Sequence, residues 1–305
     1  MNSAHRLSIL AAAIAGLATL APAAWANPTL SVSSGATAGA FDATPNESIS
    51  STLVSSSSYI DNAAGTGSAY AFSSATGAYA VSSNAKGMAS AATKAGFAYS
   101  LLNTSSVTQT YTLKFKIYGG SLSTQLQGGS WEAGEFLESR YGASVQIGNT
   151  EVFSSSAKLS ANQDGIVLDR EGANLNALDD GTDGYYSWDA FYVEVDRTLA
   201  AGDSLELAAY LNDEAYANVG TYEGNCGGSN YNTVGSLVPL SGLEEGSCYK
   251  GSSSSFYGDP FSTDAIGFEV TIKTPNSVPE PGSFALAGLG LGLAALARRR
   301  RNSTN

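Results

Sequence analysis

The chain has 305 residues, of which 43% are hydrophobic and only 14% are charged. Its single histidine is His5, so the chain contains no histidine beyond the extreme N-terminus. Serine-histidine-aspartate triads, cysteine-histidine dyads, HExxH zinc sites and histidine-ligated haem are therefore excluded from the rest of the protein. We expect a protein that is not an enzyme, with no catalytic residues and no obligatory cofactor.

The net charge of −12 is a difference between an acidic centre and basic ends. Ten of the fifteen basic residues and all 27 acidic residues lie between residues 27 and 281, so that segment carries a charge of −17. Nucleic-acid binding depends on basic residues that neutralise phosphates. The sequence therefore predicts no nucleic-acid partner.

Residues 1–26 have the organisation of a secretory signal peptide. Arg6 precedes an apolar run that begins at Leu7, and small residues stand at Ala24 and Ala26. A basic start, an apolar centre and an A-x-A site are typical of such leaders. We expect an N-terminal signal helix, export through the Sec translocon and cleavage after Ala26.

Residues 27–273 are predicted to form one acidic domain. The clearest strand runs from Thr110 to Tyr118, where large apolar side chains alternate with polar ones. The alternating residues are Tyr111, Leu113, Phe115 and Ile117. Shorter alternating segments flank a turn at Gly148-Asn149 and recur over 191–195, 205–211 and 266–272. With no sustained helical periodicity, these segments favour an all-β fold, an antiparallel β-sandwich that is jelly-roll-like.

Acidic residues are densest around Asp179, Asp180 and Asp183. Aspartates interleaved with glycine resemble loops that bind Ca²⁺ through several oxygens. The spacing does not fit an EF-hand, because the twelfth position counted from Asp179 is Ala190. A Ca²⁺ site and a solvated turn between strands both remain open for this segment.

A carboxylate-dependent enzyme is the alternative to a protein without activity. A glycosidase needs two carboxylates that face each other across the substrate bond. The sequence offers candidates but does not pair them: Glu132, Glu135, Asp189 and Glu194.

Eight aromatic residues lie in or near loop-like sequence. Aromatic faces can stack on sugar rings, although tryptophan and tyrosine next to strands often pack into the core. Both interpretations stay open for Trp131, Trp188, Tyr185, Tyr186, Tyr222, Tyr231, Tyr249 and Tyr257.

Cys226 and Cys248 are the only cysteines, and they lie in a segment predicted to be a long loop from Asn212 to Asp264. Two cysteines in an exported domain indicate a disulfide bond. It would close a loop of about 22 residues and stabilise the fold by about 3 kcal/mol in the chain-entropy model. Paired catalytic thiols are not supported, because no C-x-x-C spacing is present.

The C-terminal segment has three parts in a fixed order. A linker at 274–282 contains Val278, Pro279, Glu280 and Pro281; an apolar stretch follows at 283–297, and a basic tail covers 298–305. Counted from Pro281, the stretch spans about 25 Å as a helix, slightly less than a hydrocarbon core of about 30 Å. The tail begins with Arg298, Arg299, Arg300 and Arg301, which predict a stop-transfer signal on the cytoplasmic side of a short transmembrane helix.

This Pro-Glu-Pro motif, apolar helix and arginine cluster resemble the PEP-CTERM sorting signal of Gram-negative bacteria. The resemblance implies that exosortase, a membrane protease, recognises the Pro-Glu-Pro motif and cleaves nearby. It further implies delivery of the body to the cell surface or the extracellular matrix, often alongside exopolysaccharide. The expected function is therefore that of a non-enzymatic surface or matrix protein with extracellular polysaccharide as a possible partner. A permanently membrane-anchored surface protein is the other alternative.

Overall fold

The computed structural model describes residues 24–25, 28–224, 247–258 and 267–273. The signal helix and the C-terminal transmembrane helix of the sequence prediction lie outside these ranges. The described part contains nineteen strands, joined by turns and bends, and no helix. Every strand pair described is antiparallel, which confirms the predicted all-β antiparallel class.

The first ten strands are β1 Ala24–Trp25, β2 Thr29–Ala38, β3 Phe41–Ser50, β4 Leu53–Asn62, β5 Gly65–Ser74, β6 Tyr79–Leu102, β7 Gln109–Ile117, β8 Gly120–Leu126, β9 Phe136–Ile147 and β10 Thr150–Asn162. The remaining strands are β11 Gly165–Gly172, β12 Asn176–Asp180, β13 Tyr185–Asp189, β14 Phe191–Leu199, β15 Ser204–Asn218, β16 Thr221–Glu223, β17 Ser247–Tyr249, β18 Gly251–Gly258 and β19 Phe268–Lys273.

Two seven-stranded layers form the body, and the 24-residue strand β6 belongs to both. The first layer, which we call sheet A, has the order β3-β2-β6-β15-β9-β10-β11, with β1 pairing the end of β6. The second layer, sheet B, has the order β4-β5-β6-β18-β8-β13-β12. The layers pack face to face, because β2 contacts β4 and β5 while β9 contacts β18 and β8.

Strand alternation places apolar side chains between the two layers. Every second residue of β2, β9, β10 and β15 is buried, and the intervening residues point to the opposite face of sheet A. A period of two is what an extended strand with one covered face requires. The covered face of sheet A meets core residues of sheet B that include Val81, Leu122 and Trp188.

A third sheet has the order β14-β7-β19 and packs against the same core. The predicted strand around Thr110–Tyr118 is its central strand, and Tyr111, Leu113, Phe115 and Ile117 are all buried, as alternation predicted. Phe268 of β19 lies with its ring centroid 4.7 Å from that of Phe115. The last described strand is therefore part of the main core.

The predicted turn at Gly148-Asn149 joins β9 to β10, and Gly148 has a positive φ of 58°. The long loop predicted from Asn212 to Asp264 is wrong in part. Residues 212–218 continue β15, and strands β16, β17 and β18 also fall within that segment. These strands were not predicted because segments rich in serine, asparagine and glycine show little alternation of hydrophobicity.

Candidate functional site

The outward side of sheet A presents polar side chains in rows that cross all seven strands. We call the outward-pointing residues of these strands the outer face. In one row, the strand register aligns one residue from each strand, from β3 at one edge to β11 at the other. These residues are Glu47, Ser33, Lys94, Asn212, Gly142, Ser156 and Glu171. With strands about 4.8 Å apart, six intervals make a row about 29 Å long.

Tyr210 stands near the middle of the outer face in the adjacent row. It is 48% exposed, and its strand neighbours are Gly96 on β6 and Ser144 on β9. A side chain at Gly96 would place its Cβ 2.9 Å from a ring carbon of Tyr210, so the tyrosine ring leans over the glycine. The missing side chain at Gly96 lets the ring lie close to the sheet.

Asn212 lies on the same face as Tyr210, but its side chain leans towards β9 instead of β6, again over a glycine. A Cβ atom at Gly142 would collide with Oδ1 of Asn212, which shows that this amide lies over the glycine of β9. Depressions form where a small residue of one strand stands next to a long polar side chain of the neighbouring strand.

Three depressions follow one another along the outer face. One of about 310 Å³ is lined by Tyr210, Gln146 and Glu206. The next, of about 570 Å³, is lined by Tyr210, Lys94 and Asn212. The third, of about 830 Å³, shares Asn212 and Glu214 with the second and extends to β11. Tyr210 and Asn212 therefore each border two adjacent depressions.

Two of the basic groups on the outer face are held in ion pairs. Arg140 contacts the carboxylates of Glu138 and Glu214, and its guanidinium also lies 5.3 Å from the ring centre of Tyr216. Lys158 Nζ lies 3.0 Å from an oxygen of Asp169. These contacts neutralise Arg140 and Lys158, and Lys94 is a further cation of this face, on which carboxylates are in excess.

The aromatic residues singled out from the sequence have different positions. Trp188, Tyr186, Tyr249 and Tyr257 are buried, and Trp188 Nε1 donates a hydrogen bond of 3.1 Å to the carbonyl of Tyr118. Tyr185 is 42% exposed, whereas Trp131 and Tyr222 are half-buried. Tyr231 lies outside the described residues. The core interpretation therefore holds for at least four of the eight.

Tyr210 and Asn212 were not singled out from the sequence. Alternation with Leu207, Ala209 and Leu211 places Tyr210 on the opposite face of the strand, which was a usable signal. The glycines that receive the two side chains lie on other strands. Nothing in the sequence of β15 identifies them.

The three aspartates considered for Ca²⁺ each bind a neighbouring group. Asp180 accepts hydrogen bonds from the amide and hydroxyl of Thr182, which lower the pKa of its carboxyl. Asp183 accepts from the amide of Tyr185, and Asp179 accepts from the hydroxyl of Ser187 at 2.6 Å. Within the described ranges, no group of three or more acidic, histidine or cysteine residues could hold a metal ion. Ca²⁺ binding here stays a prediction.

Two of the carboxylates considered for catalysis meet on one lysine. Lys250 is nearly buried, and its Nζ lies 2.6 Å from Glu132 and 3.1 Å from Glu135. Burial opposes ionisation of Glu135, but hydrogen bonds from Gly220, Glu132 and Lys250 lower its pKa. Glu194 pairs instead with Lys114 at 3.5 Å, and Asp189 accepts a hydrogen bond from the amide of Ala190.

Cys248 lies in β17, whose partner strand β16 leads towards Cys226. The Sγ atom of Cys248 is 3.4 Å from the carbonyl oxygen of Gly224, two residues before Cys226. Cys226 itself lies outside the described residues, so the disulfide remains a prediction.

The residues of the predicted sorting signal, from Val278 to Pro281 and from Arg298 to Arg301, also lie outside the described ranges. Among the residues that are described, no helix is long and apolar enough to cross a membrane.

Comparison with known proteins yields one match. No curated protein and no solved structure matches the chain. The family model described as the PEP-CTERM protein-sorting motif matches residues 277–301. This match supports an exported protein that is processed by exosortase and is transiently anchored in the membrane before release. The chain carries the PEP-CTERM motif, the C-terminal sorting signal of exosortase substrates.

Proposed function

We propose that the chain is a non-enzymatic protein of the cell surface or extracellular matrix that associates with exopolysaccharide. The observation that carries this proposal is the match of residues 277–301 to the PEP-CTERM motif. The Sec translocon is the proposed route of export, and the N-terminal 26 residues are the proposed leader. The acidic body agrees with an extracellular role, because a high net charge keeps a protein soluble.

Among the described residues, the outer face of sheet A offers an open surface for such an association. Its depressions are open and lie along one sheet face, and the paired carboxylates Glu132 and Glu135 are bound to Lys250. A glycosidase acid must be free to transfer a proton to the leaving group. The arrangement around Lys250 therefore favours a structural role for these two carboxylates.

Intact-mass measurement of the protein in membrane and released fractions tests the delivery. We expect the released protein to begin at Asn27 and to lack Arg298–Arg301, because both address segments are removed. The matched variant replaces Pro279, Glu280 and Pro281 with alanine and should stay in the membrane fraction at higher mass. A released wild-type protein that retains its arginines would contradict processing at this motif and favour a permanent anchor.

Exopolysaccharide association is tested on the released protein. It should co-sediment with exopolysaccharide from the producing cells without increasing the number of reducing ends. Absence of co-sedimentation would overturn the association, and release of new reducing ends at an enzyme-like rate would favour the carboxylate-dependent enzyme.

A further inference from the structure

The outer face of sheet A combines the exposed ring of Tyr210 with many short hydrogen-bonding side chains. Tyr210 lies between two depressions, and Asn212 lies between the second and the third. Serines on β2, β9 and β10 supply hydroxyl groups in the same and the adjacent row. Sugar rings have apolar faces and hydroxyl edges, and such a surface complements both.

The floor of this surface is low around Tyr210 because its neighbours in the row across the strands are small. Gly96 on β6 has no side chain, and Ser31 on β2 and Ser144 on β9 have short ones. In the adjacent row Gly142 has no side chain, whereas Lys94 stands beside Asn212. The rows run across strands for about 29 Å. An extended chain of sugar rings could therefore lie across the strands from β2 to β9, where the residues beside Tyr210 are small.

Charge decides between classes of polysaccharide. Arg140 and Lys158 are paired with carboxylates, and Lys94 beside Asn212 is a further cation of this face. The acids outnumber these three cations, because Glu47, Glu171 and Glu206 add to the acids that Arg140 and Lys158 contact. Paired cations are poor partners for the carboxylates of a uronic-acid polymer, and the unpaired acids repel it. The same face does not repel an uncharged chain.

We propose that the outer face of sheet A binds an extended, uncharged polysaccharide laid across its strands, with one sugar ring stacked on Tyr210 and hydroxyl groups bonded to Asn212 and its neighbours. This inference rests on the proposed association with exopolysaccharide and names its site and its ligand class. Tyr210 supplies the apolar contact, and Asn212 offers one acceptor and two donor positions.

The test is affinity electrophoresis of the released, processed protein through gels that contain soluble polysaccharides. Hydroxyethylcellulose, a β-1,3-glucan and a galactomannan serve as uncharged probes, and alginate serves as the anionic probe. We expect retardation by at least one uncharged probe, none by alginate, and little change on adding salt, because the binding is not ionic.

Two variants locate the site. Tyr210→Ala should weaken binding about tenfold, the upper scale of one aromatic contact, and Asn212→Ala should weaken it by a smaller factor. Tyr192→Ala is the matched control, because Tyr192 is 54% exposed but lies on β14 of the three-stranded sheet. Equal unfolding temperatures will show that the variants are folded.

Three results would overturn the inference, and they differ in what they leave standing. Unchanged affinity of Tyr210→Ala, or an equal loss in Tyr192→Ala, would reject the site while the association with exopolysaccharide stands. Preferential retardation by alginate would reject the uncharged ligand class. Failure to bind both the uncharged probes and the exopolysaccharide of the producing cells would reject the inference together with the proposed function.

Discussion

Asp213 is a carboxyl group enclosed between the two layers of the body. Its side chain is fully buried, and neither carboxylate oxygen has a well-aligned hydrogen-bond partner in the described structure. Burial raises the pKa well above its usual value, and contacts with the Ser255 hydroxyl and the Glu214 amide offset this only in part. A buried carboxyl of this kind favours the protonated form in the folded state.

The raised pKa of Asp213 has a defined effect on stability. The folded state binds a proton more tightly than the unfolded state, so the free energy of unfolding falls as pH rises above about 4, the unfolded pKa. Asp213→Asn keeps the shape without the charge and should be more stable by about 1 kcal/mol or more at pH 8. The difference should shrink towards pH 4.

Chemical denaturation at several pH values measures this dependence. Glu206→Gln is the control, because it removes the same charge from an exposed position of β15. A pH dependence of Asp213→Asn equal to that of the wild type would show that Asp213 does not titrate as argued.

Strand β6 is the element that joins the two layers, and Gly87 lies where it passes from one to the other. Residues up to Gly87 pair with β5, and residues from Met88 onwards pair with β15. Gly87 has a φ of 70°, a conformation that residues with a Cβ atom rarely adopt. A Cβ atom there would lie 2.7 Å from the carbonyl oxygen of Ala64 and from the ring of Tyr249.

Gly87→Ala should therefore destabilise the protein by roughly 1–3 kcal/mol, the cost of a strained backbone position. Gly35→Ala is the matched control, since Gly35 lies on β2 with open space around it. We expect the control to change the free energy of unfolding by less than about 1 kcal/mol in either direction. Equal midpoints of the two variants in urea would contradict the role of Gly87.

The predicted disulfide would close the segment between β16 and β17. Cys248→Ser should lower the free energy of unfolding by about 3 kcal/mol in the chain-entropy model, because the unfolded chain regains a closed loop of about 22 residues. Reduction of the wild type should have a similar effect and add two hydrogen atoms to its intact mass. A wild type with the same mass before and after reduction has no such bond.

Strands were predicted well where large apolar residues alternate with polar ones, as in β7. They were predicted poorly where the buried side chains are small or polar. Ser56 and Ser58 of β4 are buried and bond to Ser34 of β2, so alternate residues of a serine run that resembles a flexible segment face the interior. The outward direction of Tyr210 follows from alternation within its strand. Its position over Gly96 depends on pairing between β15 and β6, which no local pattern specifies.

At the scale of the whole molecule, the sequence specifies the sorting signal and the outer face of sheet A in different ways. The sorting signal is a local, linear motif, and a few residues between 277 and 301 suffice to recognise it. The outer face of sheet A instead combines seven strands from β2 to β15, so only the folded body presents it. The sequence therefore predicts the delivery of the protein more sharply than its ligand.

The position of β18 in sheet B has a consequence for the time course of folding. β18 joins β6 to β8, pairing Ser254 with Asn84 on one side and with Ser123 on the other. Without it, sheet B consists of two separate halves. Pairings between residues so distant in sequence form slowly. On the proposed Sec route the chain crosses the membrane from its N-terminus and cannot complete this layer until almost the entire body has emerged. We therefore expect the final assembly step to follow translocation.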